Sequence, residues 1–111
     1  MKPTDLRIGN YVRIKDNNTI AKVEAISRKK VRFFYGGDKS RSYYRRYSEI
    51  EPVLIYDIYH ILDCETCWHG ETREDSLYSL PLIGFDYKFR YLHELQNIHD
   101  ALTGDELKIE L

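Results

Sequence analysis

Turn-forming residues cut the first half of this chain into short extended pieces, and that spacing limits the fold more than any other feature. Tyr11-Val12-Arg13-Ile14-Lys15 alternates, with Val12 and Ile14 on one face and Tyr11, Arg13 and Lys15 on the other. Asp16-Asn17-Asn18 is turn chemistry, because Asn and Asp tolerate left-handed geometry and bond their own backbone. Further strands are expected over residues 20–26, 30–35 and 41–47. Between the last two, Gly36-Gly37-Asp38-Lys39 is rich in residues that accept positive φ. Ser48-Glu49-Ile50-Glu51-Pro52 then breaks the pattern. Four or five short strands within about 50 residues predict a small curled sheet or SH3-like barrel.

The second half is mixed, which makes the expected class α+β. Leu54, Ile55, Ile58, Ile61 and Leu62 are spaced for one face of a helix over residues 53–63. Residues 64–75 are polar and charged and read as a loop or mobile turn. Residues 77–82 and 85–89 form an expected β-hairpin across Ile83-Gly84. Leu92, Leu95, Ile98 and Leu102 predict a second helix whose apolar stripe is buried, with Thr103-Gly104 as its C-cap. Leu107, Ile109 and Leu111 alternate with charged residues, as a short edge strand would. The 111 residues are enough for one ordinary domain. No Ser/Gly/Pro linker separates residues 1–52 from 53–111, so the two halves are expected to share one core.

Charge is the feature that bears on function. Residues 1–47 hold 13 Lys+Arg against 4 Asp+Glu, a net of +9, while residues 48–111 hold 4 against 14, a net of −10. Such asymmetry suggests a polyanion-facing surface on the basic half. No apolar run approaches the roughly 20 residues of a membrane helix, and no signal peptide is expected after Met1-Lys2-Pro3. Two cysteines are too few to staple a secreted scaffold, so a reducing cytoplasm is expected.

Both ends of the chain resemble one family. Asp5-Leu6-Arg7-Ile8-Gly9-Asn10-Tyr11-Val12 is similar to the opening of a large set of small uncharacterised proteins of gut Bacteroidota, their prophages and their phages. Tyr91-Leu92-His93-Glu94-Leu95-Gln96-Asn97 and Ala101-Leu102-Thr103-Gly104-Asp105-Glu106-Leu107 resemble the ending of the same set. An aromatic pair commonly follows the Leu-Gln-Asn step there, whereas this chain has Ile98-His99-Asp100, and residues 64–75 have no counterpart. The resemblance implies a phage or prophage setting, hence a host-cell cytoplasm, and an SH3-like first half in which Gly9 permits a tight backbone approach. It implies no activity.

The strongest candidate site is the basic-aromatic hairpin. Residues 28–35 and 41–47 interleave cations with rings, the pairing that nucleic acids and nucleotides call for: cations neutralise phosphate while flat rings stack on bases. Lys30, Arg32, Phe34, Arg41, Tyr43 and Arg45 are the candidate contacts. A loop of residues 36–39 sets Phe34 opposite Arg41, Arg32 opposite Tyr43 and Lys30 opposite Arg45, with Val31, Phe33, Tyr35 and Tyr44 turned inward. A loop one residue longer puts Arg45 beside Val31 on the core face. The first register is expected because it keeps more charge in water. The same residues also suit a plain solvated sheet face, since tyrosine is a good strand former.

The acidic half supplies a rival reading. Glu49, Glu51, Asp57, Asp63, Glu65, Glu71, Glu74 and Asp75 can pair with the basic hairpin, within one molecule or between protomers of a homo-oligomer. They can equally serve a protein-interaction module, such as an anti-defence inhibitor that mimics nucleic acid toward a host protein. Cys64, Cys67 and His69, with His60 one helical turn earlier, are the only metal-like group. A second Cys-x2-Cys knuckle is missing, so neither metal nor another cofactor is expected. His93 and His99 are six apart and share no helix face, so no two-His site is expected, and His93 should cap or flank the stripe. Phosphate loops, a nucleophile elbow and the His-Glu-x-x-His pattern are absent, so an enzyme is not expected.

Overall fold

A computed structural model describes residues 1–35, 38–58, 60–61, 67–70, 72–80 and 84–110. The chain divides into two units, Met1–Val53 and Leu54–Leu111. In the first, β1 (Tyr11–Ile14) lies between β2 (Thr19–Lys22) and β6 (Ile50–Pro52), antiparallel to both. A second sheet has the order β3 (Ala25–Ile26), β4 (Lys30–Tyr35), β5 (Asp38–Arg46), again antiparallel. A turn of 3-10 helix at Tyr47–Glu49 carries the chain from one sheet back to the other. Both sheets are open, and no closed barrel forms among the described residues.

The expected turns form for the expected reasons. Asn18 takes φ +56°, and the Asn17 carboxamide oxygen accepts from the backbone N–H and hydroxyl of Thr19 at 3.2 and 2.6 Å. Gly9 adopts φ +95° and donates its N–H to Val23 O at 2.8 Å, while Val23 N–H returns a bond of 2.8 Å to Asn10 O. A side chain at residue 9 would strain that left-handed geometry. Val12, Ile14, Val23, Val31, Phe33 and Ile50 are fully buried in one core that draws on both sheets. Each such side chain stabilises by roughly 1.5–3 kcal/mol relative to an exposed one. Tyr47 joins this core at 8% exposure, and its hydroxyl donates to Ser27 O at 2.6 Å.

The second unit is α+β, with one correction at each expected helix. No α-helix forms among the described residues of the 53–63 segment. A single 3-10 turn at Ile55–Asp57 is followed by β7 (His60–Ile61), which pairs with β11 (Ile109–Glu110). Val53, Ile55, Ile58 and Ile61 are β-branched and lose rotamer freedom in a helix, and Pro52 precedes them. Backbone partners win instead: Leu54 bridges to Tyr91, and Ile55 N–H reaches Arg90 O at 3.0 Å. Residues 64–75 are also not wholly loop. They contribute β8 (Cys67–His69), which pairs antiparallel with β9 (Leu77–Leu80) and extends the expected hairpin of β9 with β10 (Gly84–Phe89) to three strands.

Helix α1 (Leu92–Thr103) is where it was expected, and Gly104 at φ +75° closes it by donating to Asp100 O at 2.8 Å. Its buried face is rotated from the predicted stripe. Leu92 and Leu95 are fully buried, Ile98 is only half-buried, and Leu102 is 50% exposed. His93, Gln96 and His99 are buried in their place. A buried polar side chain is tolerated when it finds a partner, as His99 does with Nδ1 3.1 Å from Asp105 O; the His93 ring packs by stacking on Tyr91 at 6.0 Å. Among the described residues no helix is long and apolar enough to cross a membrane.

These packings lead to two predictions. Leu95→Ala should cost roughly 2–5 kcal/mol in denaturant unfolding, whereas Leu102→Ala should change it by less than about 0.5 kcal/mol. Burial raises the phenol pKa of Tyr47, and likewise of Tyr78, where Tyr56 and Asp57 add to the effect. A raised folded-state pKa means this stability is complete below the ordinary phenol value of about 10 and is lost as pH rises through the folded value. Thermal melts should therefore decline from pH 10 upward, and Tyr47→Phe should soften the decline while costing about 1 kcal/mol at neutral pH.

Candidate functional site

The β4–β5 hairpin decides which cations and rings share a surface, and its register differs from the expected one. Lys30 pairs with Arg46, Val31 with Arg45, Arg32 with Tyr44, Phe33 with Tyr43 and Phe34 with Ser42. Tyr35 then pairs with Asp38, so the register slips on β5 over Lys39, Ser40 and Arg41. Arg41 therefore does not oppose Phe34; it sits exposed on this bulge. Tyr43 and Arg45 move to the core side, and Tyr44, expected inward, is 48% exposed.

Aromatic packing and one ion pair account for the shift. The Tyr43 ring stacks on fully buried Phe33, with centroids 5.3 Å apart and planes inclined by 25°. Such a pair contributes about 0.5–1.5 kcal/mol beyond its buried area. Two local contacts offset part of the cost of turning Arg45 toward the core, while its buried Nε makes no hydrogen bond among the described residues. Its guanidinium lies 5.1 Å from the Tyr43 centroid, and its Nε is 3.2 Å from Asp16 Oδ2 in the β1–β2 turn. The expected register kept charge in water but left this stack unmade.

The opposite face carries Lys30, Arg32, Phe34, Ser42, Tyr44 and Arg46. Lys30 Nζ sits 4.4 Å above the Tyr44 ring centroid, and the Arg32 guanidinium is 5.6 Å from that of Phe34. Arg32 Nε is buried, with no hydrogen-bond acceptor among the described residues. Within Met1–Val53 no described carboxylate stands within ion-pair distance of Lys30, Arg32, Arg41 or Arg46. Of the acids expected as rivals for them, Asp63, Glu65 and Glu71 lie outside the described residues. Glu51 pairs with Arg13 at 3.9 Å, and Glu49 Oε1 accepts the backbone N–H of Arg46 at 2.8 Å. Asp57 grips Arg73 through two hydrogen bonds of 2.8 and 2.6 Å, with Glu74 3.6 Å from the same guanidinium. The Asp57 hydrogen bonds raise the Arg73 pKa.

Of the six candidate residues, the structure thus unites Lys30, Arg32 and Phe34, leaves Arg41 on the bulge, and assigns Tyr43 and Arg45 to packing. Tyr44 and Arg46 are the residues that sequence reasoning missed. The longer-loop register would have found them. Cys64 lies outside the described residues, while Cys67 and His69 stand on β8 opposite Ser79 and Leu77. Among the described residues no three His, Cys, Asp or Glu side chains form a group able to hold a metal. Compared with protein-family models, curated proteins and solved structures, the chain matches none of them.

The two tyrosines separate packing from surface. Tyr43→Ala should lower stability by roughly 2–4 kcal/mol, because it removes the ring stacked on Phe33. Tyr44→Ala should leave the melting temperature within about 2 °C of the parent. Calorimetry on both variants checks this, and equal losses would put Tyr44 in the core.

Proposed function

We propose that this chain is a small, non-enzymatic binding protein of phage or prophage type that engages nucleic acid or a nucleotide in the host cytoplasm. Its contact surface is the outer face of β4 and β5, with Arg41 beside it. The observation that carries this reading is the pairing of exposed Lys30 and half-buried Arg32 with rings on one face, free of described carboxylate partners within Met1–Val53. The unit Met1–Val53 holds 13 Lys+Arg against 6 Asp+Glu, which gives that face a positive surround. Phosphate would meet Lys30, Arg32 and Arg46, and the rings of Phe34 and Tyr44 would stack on bases.

The first half is best read as SH3-like. Supporting this are two three-stranded antiparallel sheets, the short step from β2 to β3 between them, and the 3-10 turn that leads into β6 beside β1. The similarity of both chain ends to proteins of gut Bacteroidota and their phages supports the setting.

Fluorescence titration against labelled oligonucleotides over a salt series tests the reading. Binding should weaken with salt, and each phosphate contact should add about −0.7 to −0.9 to the slope of log affinity against log salt. Lys30→Ala and Arg46→Ala should each lower that slope by one contact. If no oligonucleotide or nucleotide binds at low salt, the polyanion reading fails and a protein-interaction role for the acidic half replaces it.

A further inference from the structure

We infer that the ligand of the β4–β5 face is single-stranded nucleic acid, bound extended along the strands, and neither a duplex nor a free nucleotide. This rests on the polyanion reading above and narrows it. The face carries the same unit twice: a cation against a ring at Lys30 and Tyr44, and again at Arg32 and Phe34. A mononucleotide offers one base and one phosphate cluster and would use one such unit. A repeated unit suits a polymer that repeats phosphate and base.

Strand geometry sets the repeat. Lys30 and Arg32 are two residues apart on β4, so their Cα atoms are spaced by roughly 6.6–6.8 Å. Phe34 pairs with Ser42 and Arg32 with Tyr44, which makes Phe34 and Tyr44 diagonal neighbours, about 7–8 Å apart at the backbone. At that backbone separation each ring can carry a base of its own. Adjacent bases stacked as in a duplex are too close together, since successive phosphates of one duplex strand advance only about 3.4 Å along the axis. Two bases pulled out of their stack, one on each ring, fit this spacing. A duplex also keeps its base faces covered by neighbouring pairs, so exposed rings find nothing on it to stack against.

The cation–ring contacts explain how the face would change on binding. Lys30 Nζ covers one face of the half-exposed Tyr44 ring. A base arriving on that face displaces the ammonium toward the adjoining phosphate, so stacking and charge neutralisation occur together. Ser42, exposed and flanked along β5 by Tyr44 and the Arg41 bulge, leaves a small polar gap beside the Phe34 ring. A large side chain there would block a base from it.

Anisotropy titrations at one salt concentration test this with four probes: a 10-mer of deoxythymidine, a 10-mer of uridine, a 10-base-pair duplex and a mononucleotide. Either single strand should bind at least tenfold tighter than the duplex and the mononucleotide; the two strands together separate DNA from RNA. Tyr44→Ala should weaken single-strand binding by about 5- to 100-fold. Tyr44→Phe should restore it, and the duplex should be little affected by either change. Ser42→Trp should mimic the loss while the melt stays unchanged. Equal affinity for duplex and single strand, with Tyr44→Ala silent, would overturn this inference and leave the polyanion reading standing. Tightest binding to the mononucleotide would overturn it in favour of a nucleotide site. No binding by any probe at low salt would remove both readings.

Discussion

The stack of Tyr43 on Phe33 governs the first unit. Phe33 is buried among Val12, Ile14, Val31 and Ile50, and whichever residue of β5 opposes it must be able to share that apolar environment. Tyrosine 43 can, with its ring 5.3 Å from that of Phe33. Once this pair is made, the pleat leaves no freedom for the neighbours: Tyr44 and Arg46 face out, and Arg45 faces in. The slip at Lys39, Ser40 and Arg41 is the consequence at the hairpin tip, where the backbone absorbs the change of register.

Arg45 illustrates how a charge can be turned toward a core at tolerable cost. Its stem packs beside Tyr43, its guanidinium faces the ring, and Asp16 supplies the countercharge from the β1–β2 turn. In the second unit an acid likewise engages a cation, here an exposed one: Asp57 holds Arg73 by two hydrogen bonds. In both cases an acid near in space, though distant in sequence, absorbs a cation that the overall charge balance would have counted as available. The cations on the outer face of β4 and β5 have no such partner among the described residues of Met1–Val53, and this contrast underlies the functional proposal.

Helix α1 follows a related logic with polar groups. Its buried face includes His93, Gln96 and His99 beside Leu92 and Leu95, while Leu102 is half in water. A stripe predicted from apolar spacing assumes that only apolar residues seek the interior. The fold-back after Gly104, which brings Asp105 O against the His99 ring, makes burial of a histidine acceptable.

Local chemistry by itself determined the strands with clear alternation and the turns whose residues have special geometry. Val12 and Ile14 point inward because β1 alternates, Asn18 and Gly104 take left-handed conformations because they can, and β11 forms where charged and apolar residues alternate. The basic and aromatic character of the hairpin was equally legible. Only tertiary structure decided which of its residues would stand together. Tyr43 and Tyr44 are chemically identical and adjacent, and nothing local distinguishes them. The choice depends on Phe33 across the sheet and on Asp16 from another turn, groups that the linear order does not bring together. For the same reason residues 55–61 became a 3-10 turn and a short strand. Their periodicity suited a helix, but Tyr91, Arg90 and Ile109 offered backbone partners that β-branched side chains accept more readily.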